Sequence, residues 1–151
     1  MDDREIVERQ LGRAPRAFVR VVVRCPYGRP AVTEQAPFDE DGAPFPTTYY
    51  VTCRHLVTSL SQVEAAGGVE RWTRAAEEDE ELGASVRAAH DEQRRLRPEL
   101  PGGIGGATRE GSLKCLHAHV AFALARPGYL LGERVLAELD PLWPPDGCCS
   151  A

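Results

Sequence analysis

The chain has 151 residues, a formal net charge of −5 and a sequence pI near 5.4. That length is one domain by the usual prior, enough to bury roughly two-thirds of the unfolded surface. The acidic balance and the lack of a basic stripe make nucleic acid an unlikely partner, because phosphate contacts need a basic face.

Met1 to Glu5 is charged, with no apolar h-region after it, and no apolar run reaches the ~18 residues that a bilayer crossing needs. The expectation is a cytoplasmic protein with no membrane segment. Its five cysteines, an odd number, are then thiols, metal ligands or core residues rather than a complete disulfide framework.

Asp2 or Asp3 can cap a short helix through about Leu11, which Gly12 stops. Phe18 to Arg24 reads as a strand, with Val19, Val21 and Val23 on a wholly apolar face and Arg20 and Arg24 around Val22 on the other. Cys25 to Pro30 is a turn, Ala31 to Gln35 a second short strand, and the β-branched and aromatic run Thr47 to Cys53 a third. From residue 54 the period becomes helical, with Leu56, Leu60 and Val63 recurring until Gly67 and Gly68 end the segment.

A long helix is expected from Glu77 to Arg97, acidic at its start and basic at its end as the helix dipole favours. Its buried stripe is Leu82, Val86, Ala89 and Leu96, with His90 at the edge. Residues 98–111 hold five glycines and read as a mobile loop or lid. Ser112 can cap a helix from Leu113 to Arg126, and a last helix covers about Leu131 to Leu139. The fold class is therefore α+β in a single domain over 1–151, with a flexible tail over 140–151. A small antiparallel three-stranded meander near the N-terminus packs against four to five helices.

Soft ligands fall in clusters: Cys53 with His55, Cys115 with His117 and His119, and the vicinal pair Cys148 and Cys149; Cys25 and His90 stand alone. Zinc takes four ligands in a closed structural site, or three plus water in a catalytic one. The spacing here matches no zinc template, and buried cysteine and histidine are also ordinary core residues. At 100° per residue, a regular helix puts Cys115 and His119 on one face and His117 on the opposite one. Cys115 and His117 can then converge only if the first turn is irregular.

Two other chemistries are open. Cys115, in the first turn of its helix beside Lys114, reads as a thiolate nucleophile with His117 or His119 as base, although no carboxylate orienter is near in sequence. The glycine run lacks the phosphate-loop pattern, but Lys114 at a helix start, with Arg24 and Arg29 around Cys25, suggests an anion site.

The segments Arg24 to Val32, Pro44 to Thr52, Ala89-His90 and Lys114-Cys115-Leu116-His117 together resemble the family known as domain of unknown function 501, mostly from actinobacteria. The resemblance covers residues 4 to 139, taken as the core of the domain. It implies no established reaction. Its members' genes lie beside those for enolase, a septum-formation initiator and an exopolyphosphatase-type enzyme, which implies a link to cell division or phosphate metabolism. The expected site joins Cys25, His90, Cys115 and His117 around zinc or iron, with Cys53, His55, His119, Cys148 and Cys149 as secondary ligands. The competing expectation is a non-catalytic interaction module for an acidic or phosphorylated protein partner, or a small anion.

Overall fold

In the computed structural model, residues 1–109 and 111–149 are described. Helix α1 (Asp3–Leu11) opens with a capping box. The Asp2 carboxylate accepts from Glu5 N at 2.9 Å and the Glu5 carboxylate accepts from Asp2 N at 3.0 Å, while Gly12 at φ 75° closes the helix. Strands β1 (Phe18–Arg24), β2 (Pro30–Gln35) and β3 (Tyr49–Val51) form an antiparallel sheet in chain order.

Central β2 is buried along almost its whole length. The regular alternation expected of β1 is not kept. Register shifts after Phe18 and after Val21 turn Val22 and Val23 toward the core and leave Val19 half exposed.

The helical part contains α2 (Arg54–Ala65), α3 (Gly68–Glu78), α4 (Glu80–Leu96), a single 3-10 turn over Ile104–Gly106, α5 (Leu116–Ala125) and α6 (Leu130–Glu138). Among the described residues there are six α-helices, one beyond the expected four to five in the same α+β class, because the segment after Gly67 does not idle. Gly67, at φ 86°, ends α2 in the left-handed conformation, and α3 begins at the next residue, packing Val69, Trp72, Ala75 and Ala76 on the core.

The single helix expected over 77–97 is also cut. Asp79 is extended, and its carboxylate caps α4 by accepting from Glu81 N and Leu82 N. The tail folds back: Leu142 and Trp143 pack on the core, the Pro141 carbonyl meets His55 Nε2 at 2.9 Å, and the Tyr27 hydroxyl donates to the Pro144 carbonyl.

Helix α5 occupies the centre, packed against β3, α2, α6 and the 3-10 turn. Leu116 and every residue from Ala118 to Ala123 are buried, so it is apolar on all sides. Its beginning departs from expectation. Leu113 is buried loop, Lys114 is left-handed at φ 62°, and Cys115, extended at φ −148°, is the N-cap instead of Ser112.

His90 is fully buried rather than at an edge, and it faces the equally buried His119 across 5.6 Å between ring centroids. Backbone and tyrosine partners satisfy both rings. Ile104 N donates to His90 Nδ1 at 2.9 Å and His90 Nε2 donates to the Ser112 carbonyl; His119 Nε2 donates to the Leu113 carbonyl, and the Tyr129 hydroxyl donates to His119 Nδ1 at 2.7 Å.

These bonds, with buried Ile104 and Ala107, pack residues 103–107 against the core, where a mobile loop or lid was expected. Gly103 is required by contact: a Cβ there would lie 2.1 Å from His90 Nδ1. Gly103→Ala should therefore cost about 1–3 kcal/mol of stability, read as a lower urea midpoint; an unchanged midpoint would mean that the ring has room to move.

Burial and the neighbouring His90 hold His119 down at about 3, from an ordinary 6.5. The unfolded chain therefore takes up a proton below pH 6.5 that the folded chain refuses until about pH 3. This contribution is complete above the upper value and declines as pH falls through the window, by up to about 1.4 kcal/mol per pH unit. Between about pH 6.5 and 5, urea unfolding of His119→Gln should show a smaller loss than the parent; equal slopes would remove His119 as the cause.

Candidate functional site

The extended N-cap lets Cys115 and His117 converge, and both meet Glu64 from the last turn of α2. One ligand atom from each of the three lies within 4.8 Å of the other two, all on partly buried side chains. Glu64 Oε2 accepts from Leu116 N at 2.6 Å and lies 3.1 Å from His117 Nδ1. On the other side of the imidazole, Nε2 is 3.3 Å from the Val57 carbonyl and 3.3 Å from Ser61 Oγ. Cys115 Sγ accepts from Ala118 N at 3.5 Å, completing the cap of α5.

Sequence reasoning missed Glu64, yet two signals marked it. The residue continues the Leu56–Leu60 stripe by another four positions, so it falls on the buried face of α2. A carboxylate in the last turn also opposes the dipole of α2, a local cost that the start of α5 offsets.

The other expected ligands lie elsewhere. Cys25 is buried in the β1–β2 turn, where its amide donates to the Arg29 carbonyl. His90 and His119 are committed to the interior network described above. Cys53 is buried at the β3–α2 junction with the Cys149 thiol hydrogen-bonded to it, and burial pushes the Cys53 thiol up. Among the described residues, Glu64, Cys115 and His117 are the group of three that can share an ion.

Burial, and with it the nearby Glu64 charge, raises the Cys115 thiol above its ordinary value, outweighing the opposite pull of the Ala118 and His117 amides and of Lys114. That direction weighs against the nucleophile reading for Cys115.

Cys115 and His117 line a cleft of about 760 Å³ between α1, β3, the start of α2 and the start of α5. Leu11, Tyr50, Val51, Val57 and Ala118 supply apolar wall, and Arg13, Arg54 and Lys114 supply cations. Of the expected anion-binding set only Lys114 lines it. Arg24 bonds Asp3 and the Gly28 carbonyl, and Arg29 belongs to the β1–β2 turn.

Residues 21–102 match the model of the family described as "Protein of unknown function (DUF501)". The chain belongs to that family. The match spans β1 to α4 and the start of the glycine-rich segment, so it includes Glu64 and stops before Cys115 and His117. No curated protein and no solved structure matches the chain. Among the described residues of this DUF501 chain no helix is long and apolar enough to cross a membrane.

Alkylation tests the thiol assignment. In native protein at about pH 7.5, iodoacetamide should label exposed Cys149 first, and Cys25 and Cys53 only after unfolding. Cys115 should react more slowly than a free thiol; preferential labelling there would restore the nucleophile.

Proposed function

We propose that this protein binds a transition-metal ion, zinc or iron, which Glu64, Cys115 and His117 would hold beside the cleft. The observation that carries this reading is the meeting of an oxygen, a nitrogen and a sulfur ligand within 4.8 Å, two of them, from Cys115 and His117, on residues that line a cleft of about 760 Å³ and the third, from Glu64, behind them. Metal–ligand bonds of about 2.0–2.3 Å require small inward movements of side chains, and a carboxylate–imidazole–thiolate set suits zinc well.

The surroundings of His117 support the same reading. Nδ1 lies 3.1 Å from the Glu64 carboxylate, and Nε2 lies 3.3 Å from both the Val57 carbonyl and Ser61 Oγ, so the ring has partners at both nitrogens. With Nε2–H donated to the Val57 carbonyl, Nδ1 would be free to ligate a metal beside Glu64. In metal sites the second ring nitrogen of a ligating histidine is held this way, by a carbonyl or carboxylate.

A bound zinc ion with three protein ligands supplies Lewis acidity and an acidified water. The chain's own residues fix its position. Leu116 N holds Glu64, the Val57 carbonyl holds His117, and Ala118 N holds Cys115. Hydrolysis at the mouth of the cleft is the reaction class this arrangement favours.

Protein purified without a metal-affinity tag, stripped with a chelator and titrated with Zn²⁺ should take up about one equivalent and gain thermal stability. Glu64→Gln and Cys115→Ser preserve an acceptor for each cap and should each weaken zinc by at least about tenfold. Uptake of iron in place of zinc would support the same site. Stripped and metal-treated protein with identical melting curves, and no metal retained, would overturn it.

A further inference from the structure

We infer that the cleft is a receptor for a small organic anion, a carboxylate or phosphate monoester carrying an apolar body, with its charged head held by Lys114 and Arg13. The inference goes beyond the metal reading and does not use it: charge, shape and strain carry it.

Charge is the first observation. Sixteen residues line the cleft, three of them cationic and none acidic. The chain as a whole has 23 acidic residues against 18 basic, so this wall runs against the composition. Elsewhere several arginines are paired with carboxylates within the fold: Arg16 with Asp39, Arg20 and Arg97 with Glu34, Arg24 with Asp3, Arg71 with Glu138, Arg94 with Asp91, Arg126 with Glu92.

In the cleft no such pair forms among the described residues. Arg13 reaches only the Tyr50 hydroxyl, at 3.4 Å, and Lys114 Nζ only the Gly105 carbonyl, at 3.4 Å. Arg54 is occupied by the carbonyls of Arg9 and Gln10, which leaves Arg13 and Lys114 to meet a ligand.

Strain is the second. Lys114, the chain's one lysine, has a left-handed backbone at φ 62°, where glycine rests without cost and other residues pay roughly 1–3 kcal/mol. A cation at the cleft rim is what this conformation retains.

The wall also carries unused hydrogen-bonding capacity. Gln10 and Thr52 both line the cleft and are at least nine-tenths buried, yet Gln10 Oε1 and Thr52 Oγ1 have no partner. The volume suits a small ligand rather than a macromolecule, and Leu11, Tyr50 and Val57 offer contact for its apolar part.

Phenyl phosphate and 4-phenylbutyrate, with uncharged 4-phenylbutan-1-ol as control, would be titrated calorimetrically into metal-free and zinc-loaded protein. At least one anion should bind the metal-free form, at least about tenfold more tightly than the alcohol. Lys114→Gln and Arg13→Gln together should remove about tenfold of that affinity, while Lys114→Arg, which keeps the charge, retains it.

Equal binding of alcohol and anions, full affinity in the double variant, or no anion binding to either form would overturn the inference. The two readings fail separately. Anion binding without zinc uptake defeats only the metal site, and zinc uptake without anion binding defeats only the receptor.

Discussion

Burial of α5 is the constraint that arranges this molecule. A helix that is apolar on every side must sit at the centre, and its first amides then have no water to bond. Leaving one buried amide unsatisfied costs about 1–3 kcal/mol, so each needs a partner from the protein. Glu64 supplies one for Leu116 and the Cys115 sulfur another for Ala118, which fixes α2 and the preceding loop against the start of α5.

The same requirement runs one turn deeper. His119 stands in the interior of α5, and its two nitrogens are met by the Leu113 carbonyl and the Tyr129 hydroxyl. Through these bonds, and through His90, Ile104, Ser112, Leu113 and the start of α6 are tied to one apolar column. The glycine at 103 is part of that arrangement, since the imidazole of His90 lies where its side chain would be.

Much of the fold was legible because its signals are local. The cap at Asp2 or Asp3 with the stop at Gly12, the turn at Cys25–Pro30, and the helical spacing of Leu56, Leu60 and Val63 each state their structure within one or two turns of chain. What escaped was non-local. The position of Asp79 as a cap, inside an unbroken run of helix formers, decides between one helix and two, and only packing of Trp72 and Val69 makes the first of them worthwhile. The strand β1 kept its boundaries but not its expected face, because bulges are set by pairing with β2.

The site divides the same way. Cys115 and His117 stood out as a pair, but a regular helix would have separated them; the left-handed Lys114 and extended Cys115 bring them together, and no propensity rule forecasts a strained lysine. Glu64 was marked in the sequence as an acid on an apolar stripe and at the wrong end of its helix dipole. His90 and His119 are the reverse case, ligand types that the core uses for internal hydrogen bonds, with backbone carbonyls 22 and 6 residues away as acceptors.

Arg54 gives the cleft one further property. Its guanidinium, at the first position of α2, donates to the Arg9 and Gln10 carbonyls and so closes the end of α1 against the helix that carries Glu64. Opposite walls of the cleft are thereby riveted to each other, and the nearby glycine segment is pinned by the core. A small anion entering this cleft would meet walls already in place, so ordering of loops would take little from its affinity.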